Sequence, residues 1–237
     1  MLGSLLEFRA DVHSQNGEDG VLAEIFRRLG VERGWCVEFG AWDGKHLSNT
    51  FALVEQGWRA VYLEGDPAKA EDLKRTASEW PDQITAIEAF VEPSGPSSLD
   101  ALLAPTELPQ DFDLLSIDVD GTDWHIWNGT TSYTPRVVVI EVNSSFPPAS
   151  LAVHGDGDGV EGSSFMATVE LGRRKGYTAV LHTGNAILVR DDLVDRLGLP
   201  PEELAQPEQL FLTDWLKSTG LLAGAAARIK QCLGRTA

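Results

Sequence analysis

Two glycines and a few carboxylates carry the chemistry open to this sequence. In Trp35-Cys36-Val37-Glu38-Phe39-Gly40-Ala41-Trp42-Asp43-Gly44, a short apolar run meets a carboxylate near its end and turns through Gly40 and Gly44. Ser48-Asn49-Thr50 then leads into Phe51-Ala52-Leu53-Val54. Glycine accepts positive φ and lets a ligand approach the backbone. Free N–H groups at the start of a following helix suit a carboxylate or phosphate. A phosphate-cradling P-loop is excluded, because it needs four residues between its glycines and a Lys-Ser/Thr pair. Here three residues intervene, and Lys45 is followed by His46. The dinucleotide turn G-x-G-x-x-G fails at its middle glycine, where Trp42 stands.

Further acids fall at the ends of later apolar runs. Arg59-Ala60-Val61-Tyr62-Leu63 closes on Glu64-Gly65, about twenty residues after the turn, the place from which a carboxylate accepts both hydroxyls of a ribose. The run 112–117 ends in Asp118-Val119-Asp120-Gly121-Thr122-Asp123-Trp124-His125, and 136–140 ends in Glu141-Val142-Asn143. His125 is a candidate general base, since an unperturbed imidazole titrates near working pH, against the alternative of a purely structural histidine. Asp118, Asp120, Glu141 and Asn143 offer four hard oxygen ligands that could cage Mg²⁺ and acidify a bound hydroxyl. The preferred alternative is a metal-free site in which these side chains cap loops, with Asp118 and Asp120 on the cofactor and catalytic side and Glu141 and Asn143 towards substrate.

Those residues need elements to hold them. Helical spacing of Val21, Leu22, Ile25, Phe26 and Leu29 gives an N-terminal helix over 14–29, stopped by Gly30; the polar residues from Ser14 to Asp19 either simply cap it or, alternatively, turn Gln15 or Asp19 to the cleft. Strands are expected at 35–39, 59–64, 84–91, 112–117 and 136–140, with helices at 47–56, 67–80 and 99–103. A helix from 163 to 175 precedes two β-rich runs, 177–182 and 186–189, close enough to form a hairpin. Six strands can then run parallel and the seventh turns back. Residues 144–162 are rich in glycine, proline and acids without periodicity, which marks a lid or binding loop. Helices are expected at 193–197 and 208–217, then an Ala-rich stretch to Cys232, packed on the sheet or against a second subunit.

The 237 residues, 43% hydrophobic, suit one domain over 1–237: a core at about 31–190 and a C-terminal helical extension at 191–237. A formal net charge of −17 weighs against nucleic acid and anionic membranes as partners. Two cysteines, Cys36 and Cys232, form neither a disulfide framework nor a zinc motif. No basic segment followed by an apolar one opens the chain and no run is long enough to span a bilayer, so the expected location is cytoplasmic.

Four pieces together resemble the FkbM-type family of class I S-adenosylmethionine (SAM) methyltransferases. They are Ser14-Gln15-Asn16-Gly17-Glu18-Asp19, Glu38-Phe39-Gly40-Ala41-Trp42-Asp43-Gly44, Ile117-Asp118-Val119-Asp120-Gly121 and Val139-Ile140-Glu141. Trp42 departs from the family's glycine-rich turn, and Asp120 stands where a glutamate is usual. The resemblance implies an α/β, Rossmann-like, doubly wound seven-stranded sheet with its last strand antiparallel, flanked by N- and C-terminal helices. It also implies SAM as cofactor and O-methylation of a small-molecule acceptor, a sugar or secondary metabolite. Glu38, Gly40 and Gly44 would then surround the methionine part, Ser48, Asn49 and Thr50 its carboxylate, Glu64 and Gly65 the ribose, with Gln15 and Asp118 close by. Two other classes stay open: a different nucleotide- or dinucleotide-binding enzyme of Rossmann-like fold, and a binding module without catalysis.

Overall fold

The computed structural model describes residues 4–157 and 159–212. Seven strands form one sheet: β1 (Trp35–Phe39), β2 (Arg59–Glu64), β3 (Ile84–Glu88), β4 (Leu114–Ile117), β5 (Val137–Glu141), β6 (Tyr177–His182) and β7 (Asn185–Arg190). Their order is β3-β2-β1-β4-β5-β7-β6. The five strands β3-β2-β1-β4-β5 pair in parallel, and β7 enters antiparallel between β5 and β6. This is the class I methyltransferase sheet, with the terminal hairpin where the sequence places it.

The central strands are apolar on both faces because helices cover both. Val37, Phe39, Val61, Leu63, Val138 and Ile140 point into one core. Their sequence neighbours Cys36, Ala60, Tyr62, Val137 and Val139 point into the other. Helices α1 (Glu18–Leu29), α2 (Phe51–Val54) and α3 (Pro67–Glu79) close the second core. Helices α4 (Leu99–Leu103), α5 (Asp123–Gly129) and α6 (Phe165–Lys175) close the first. After the hairpin come α7 (Asp191–Val194), a 3-10 turn at Asp195–Leu197, α8 (Pro201–Ala205) and a 3-10 turn at Pro207–Leu210.

Several expected boundaries move, each for a local reason. The first helix begins at Glu18, not 14: Gly17 holds a left-handed φ of 94°, and residues 12–14 fold back so that their N–H groups donate to Asp19 Oδ2. Helix α2 shrinks from 47–56 to one turn because Ser48, Asn49 and Thr50 are diverted to Glu38. β3 stops at Glu88, three residues early. Residues 123–129 form a helix that the sequence pattern did not mark. Instead of a helix over 208–217, the described part is a single 3-10 turn, and the Ala-rich stretch and Cys232 lie outside the described residues. None of the described helices is long and apolar enough to cross a membrane.

The loop at 144–162, expected to lack structure, is cross-braced. Asn143 N donates to Ser163 O, Ser164 N to Ala152 O and Gly155 N to Val160 O. Asn143 Nδ2 donates to Glu161 O and Ser164 Oγ to Ser150 O.

Two glycines separate backbone freedom from close packing. Gly30 and Gly40 have φ of 73° and 72°. A Cβ on Gly30 would meet nothing within 4 Å, whereas one on Gly40 would stand 1.7 Å from the Asp118 carbonyl oxygen. Gly30→Ala should therefore cost only the left-handed strain, roughly 1–2 kcal/mol. Gly40→Ala should cost about 3 kcal/mol or more, since β1 must also move away from β4. Urea unfolding measures both; equal losses would refute the close-approach explanation.

Candidate active site

A cavity of about 480 Å³ opens at the carboxyl ends of β3, β2, β1 and β4, where open α/β sheets bind ligands. Along the sheet edge its lining passes from Phe90 beyond β3, through Glu64 and Gly65, to Gly40 and Trp42, and then to Asp118 and Asp120 beyond β4.

Glu38 lies beneath the glycine turn, 5% exposed. Ser48 Oγ and Thr50 Oγ1 donate to its Oε2 at 2.5 and 2.6 Å, and Asn49 N donates to Oε1 at 3.0 Å. Asn49 Nδ2 reaches Ser116 Oγ on β4, and the Tyr62 hydroxyl on β2 is 2.8 Å from Thr50 Oγ1. Burial pushes the Glu38 carboxyl up, and the hydroxyl donors oppose that shift. The expectation that the 48–50 helix start offers free N–H groups needs correcting. Asn49 N is taken by Glu38, while Thr50 N and Phe51 N both donate to Ser48 Oγ. Of these three residues only Ser48 lines the cavity. Gly44 packs instead against Leu73 and Tyr62.

Glu64 occupies the position anticipated for a ribose-binding acid. Its Oε2 accepts Trp42 N and its Oε1 accepts Asp66 N, both at 2.8 Å, so the carboxylate is aimed by two backbone donors. Asp66 in turn caps α3 through Ala68 N and Lys69 N. Lys69 Nζ sits 4.4 Å from the centre of the Trp42 ring, a cation lying over the indole. Phe90, 71% exposed, lies against Gly65 and turns an uncovered ring to the cavity. Trp42, Leu47 and Asp120 are the positive-φ non-glycine residues among those described, and all three line this cavity. Such strain gathers where function requires it.

The turn after β4 is folded around Asp123, which the sequence pattern did not single out. Its two carboxylate oxygens accept Val119 N and Gly121 N at 2.9 and 2.8 Å. The signal was present, since an aspartate opening a helix after Gly-Thr is a local capping residue. The turn places Asp118 and Asp120 so that one oxygen of each lies within 4.8 Å of one from Glu141. Asn143 is engaged elsewhere: its Oδ1 accepts Ser145 N and Ser145 Oγ, and its Nδ2 holds Glu161 O. Desolvation, then the charges of Asp123 and Asp120, push the Asp118 carboxyl up to about 7, although its side chain still reaches solvent. Desolvation and the Asp118 charge push Glu141 up to about 8.

His125 lies outside the cavity lining; its Nε2 is 2.8 Å from the carbonyl of His154 in the 144–162 loop. His154 was not anticipated. Its Nδ1 accepts Gly162 N, and its ring covers Gly121, with Cε1 3.0 Å from where a Cβ there would stand. Gln15 is exposed and forms no part of the lining, while Asp19 points inward to the backbone of 12–14.

No family model matches the sequence, and no curated protein matches it. Among solved structures the chain is similar to precorrin-6y C5,15-methyltransferase from Geobacter metallireducens, at 18% identity over 77% of this chain and 92% of that one, TM-score 0.42. It is also similar to a SAM dependent methyltransferase from Aquifex aeolicus, at 8% identity over 70% and 86%, TM-score 0.42. M. jannaschii TYW2, solved in complex with AdoMet, matches at 12% identity over 74% of each chain, TM-score 0.41. Likenesses this distant carry no functional argument; the fold rests on the chain's own strand order and the function on its cavity.

Asp118 and Glu141 hold their protons more tightly in the folded protein than in the unfolded chain. Their contribution to stability is full below the unfolded carboxylate range near pH 4 and is lost as pH rises through about 7 and 8. The free protein should melt at a higher temperature at about pH 6 than at about pH 8.5. Combining Asp118→Asn with Glu141→Gln should flatten that slope. A melting temperature that climbs over this interval would contradict the sign.

Proposed function

We propose that this protein is a SAM-dependent methyltransferase of the FkbM type that methylates a hydroxyl of a small-molecule acceptor, a sugar or secondary metabolite. The observation that carries the reading is Glu64: a carboxylate at the end of β2, aimed into the cavity by Trp42 N–H and Asp66 N–H. Its remaining lone pairs suit the two hydroxyls of a ribose. Phe90 beside it offers an aromatic face to an adenine, and the cavity volume falls within the range of cofactor sites. With ribose at β2 and adenine at β3, the rest of the cofactor extends towards β1 and β4, where Asp118 and Asp120 favour a cation. Its carboxylate finds no free N–H at the start of α2, so the Ser48-Asn49-Thr50 part of the expectation is not retained.

When bound, SAM supplies a methyl group on a sulfonium for in-line displacement by the acceptor oxygen. The protein aligns the partners, which accounts for much of the rate in such a reaction. Glu141 and Asp118, with carboxyls raised towards neutrality, are placed to take the acceptor's proton as the oxygen–methyl bond forms. His125 holds the loop carbonyl of His154 and is not assigned the base role that its position in the sequence suggested. The three-carboxylate group keeps a second reading in play, in which Asp118, Asp120 and Glu141 hold Mg²⁺ against the acceptor.

Three measurements test this. S-adenosylhomocysteine should raise the melting temperature and NAD(H) should not; the reverse would point to a dinucleotide enzyme. Glu64→Ala should weaken SAM binding in titration calorimetry by roughly 1–3 kcal/mol, the cost of leaving polar partners unmet. Unchanged affinity would remove Glu64 from the site. In a screen for transfer of labelled methyl to sugars and phenols, turnover should survive EDTA. Turnover abolished by EDTA and restored by Mg²⁺ would establish the metal reading instead.

A further inference from the structure

Both stems of the 144–162 loop converge on one buried aromatic group. His182, at the end of β6, is fully buried, and its ring stacks on Phe211 with centroids 4.3 Å apart and planes at 17°. Phe165, at the start of α6 just past the loop, packs edge-on to both, 5.1 Å from His182 and 6.0 Å from Phe211. Burial pushes the imidazole down to about 3, so the ring is neutral. Leu212 N donates to its Nδ1 at 3.0 Å, which leaves Nε2 to donate to Ser144 Oγ at 2.8 Å. Ser144 is the first residue of the loop. Phe211 and Leu212 follow the Pro207–Leu210 turn, and nothing covalent holds this segment against β6 and α6. Among the described residues it is held by Phe211, 9% exposed, by the buried Pro207, by Leu210 packed on the same core, and by the Leu212 hydrogen bond to His182.

The loop so gripped reaches the cleft at its far end. His154 covers Gly121 beside Asp120, and its carbonyl is held by His125. No contact of this kind links Phe211 to the glycine turn, which is fixed from below by Glu38.

We propose that residues 207–212 form a latch on the loop after β5. Seated, the latch holds the loop with His154 over Gly121, at the rim of the cleft beside Asp120; withdrawn, it frees the loop and leaves the glycine-turn side unchanged. The latch would thus set acceptor access without altering cofactor binding. That functional meaning rests on the methyl-transfer reading, but the test of the latch does not.

Hydrogen exchange on the full chain without ligand provides the test, comparing wild type with Phe211→Ala, Phe211→Leu and Ser144→Ala. In Phe211→Ala, bonded amides of the loop, those of Gly155 and Gly162 among them, should exchange at least about tenfold faster. Amides of β1 and β2 should be unchanged, and Phe211→Leu should restore most of the protection. Ser144→Ala removes the bond to His182, together with a long 3.4 Å bond to Val142 O, and leaves the ring stack in place, so it decides the matter if Phe211→Ala does not fold. It should give a smaller acceleration confined to the loop. Loop exchange at the wild-type rate in Ser144→Ala, or acceleration spread evenly through the sheet in Phe211→Ala, would overturn the latch.

Discussion

The Glu38 carboxylate is the point on which the cleft is built. A nearly buried acid is expensive unless donors surround it, and here the donors come from the segment that would otherwise have been a helix start. Ser48, Asn49 and Thr50 turn inward, α2 is reduced to one turn, and Ser116 and Tyr62 bring β4 and β2 into the same network. Such a network is cooperative: each donor it loses leaves the remaining charge harder to bury. The glycine turn above it is therefore held from below, with no reliance on ligand contacts.

On the other side of the turn the logic is reversed. Asp123 is satisfied by two backbone N–H groups and shapes its turn, whereas Asp118 and Glu141 are left to repel one another. Acids that the backbone satisfies and acids that it does not thus lie side by side after β4 and β5, distinguished by whether the backbone supplies donors. A positive charge arriving between the second pair would relieve their repulsion, which fits an acidic chain with an electropositive cofactor.

The sheet was legible because each of the five parallel strands is a short apolar run closed by an acid or glycine, and the order of runs and helices admits few topologies. The place of Glu64 on the cavity was legible for the same reason, being the end of a strand. What stayed hidden depends on contacts distant in sequence. The shortening of α2 follows from Glu38 ten residues earlier, and the 144–162 loop is braced by single side chains such as Asn143, His154 and Ser164 meeting backbone groups at irregular spacing, which leaves no periodic pattern. His125 was a candidate for the chemistry of its imidazole alone, which says nothing of direction; 123–129 folds into a helix, the His125 ring meets the 144–162 loop, and His154 lies over Gly121 instead.

Trp42 stands where a glycine-rich cofactor turn would have a glycine, and its backbone adopts a glycine-like conformation, with φ of 49°. Leu47 and Asp120, at φ of 59° and 56°, carry the same burden on other sides of the cavity. Each residue of this kind sits roughly 1–2 kcal/mol above an unstrained alternative. Selection for heat resistance alone would drift towards glycine or asparagine at all three, discarding the indole under Lys69 and a carboxylate of the cleft. Their retention would mark a lineage that gave up thermal margin for ligand recognition, and a consensus-stabilised version of this chain would be sturdier and less able.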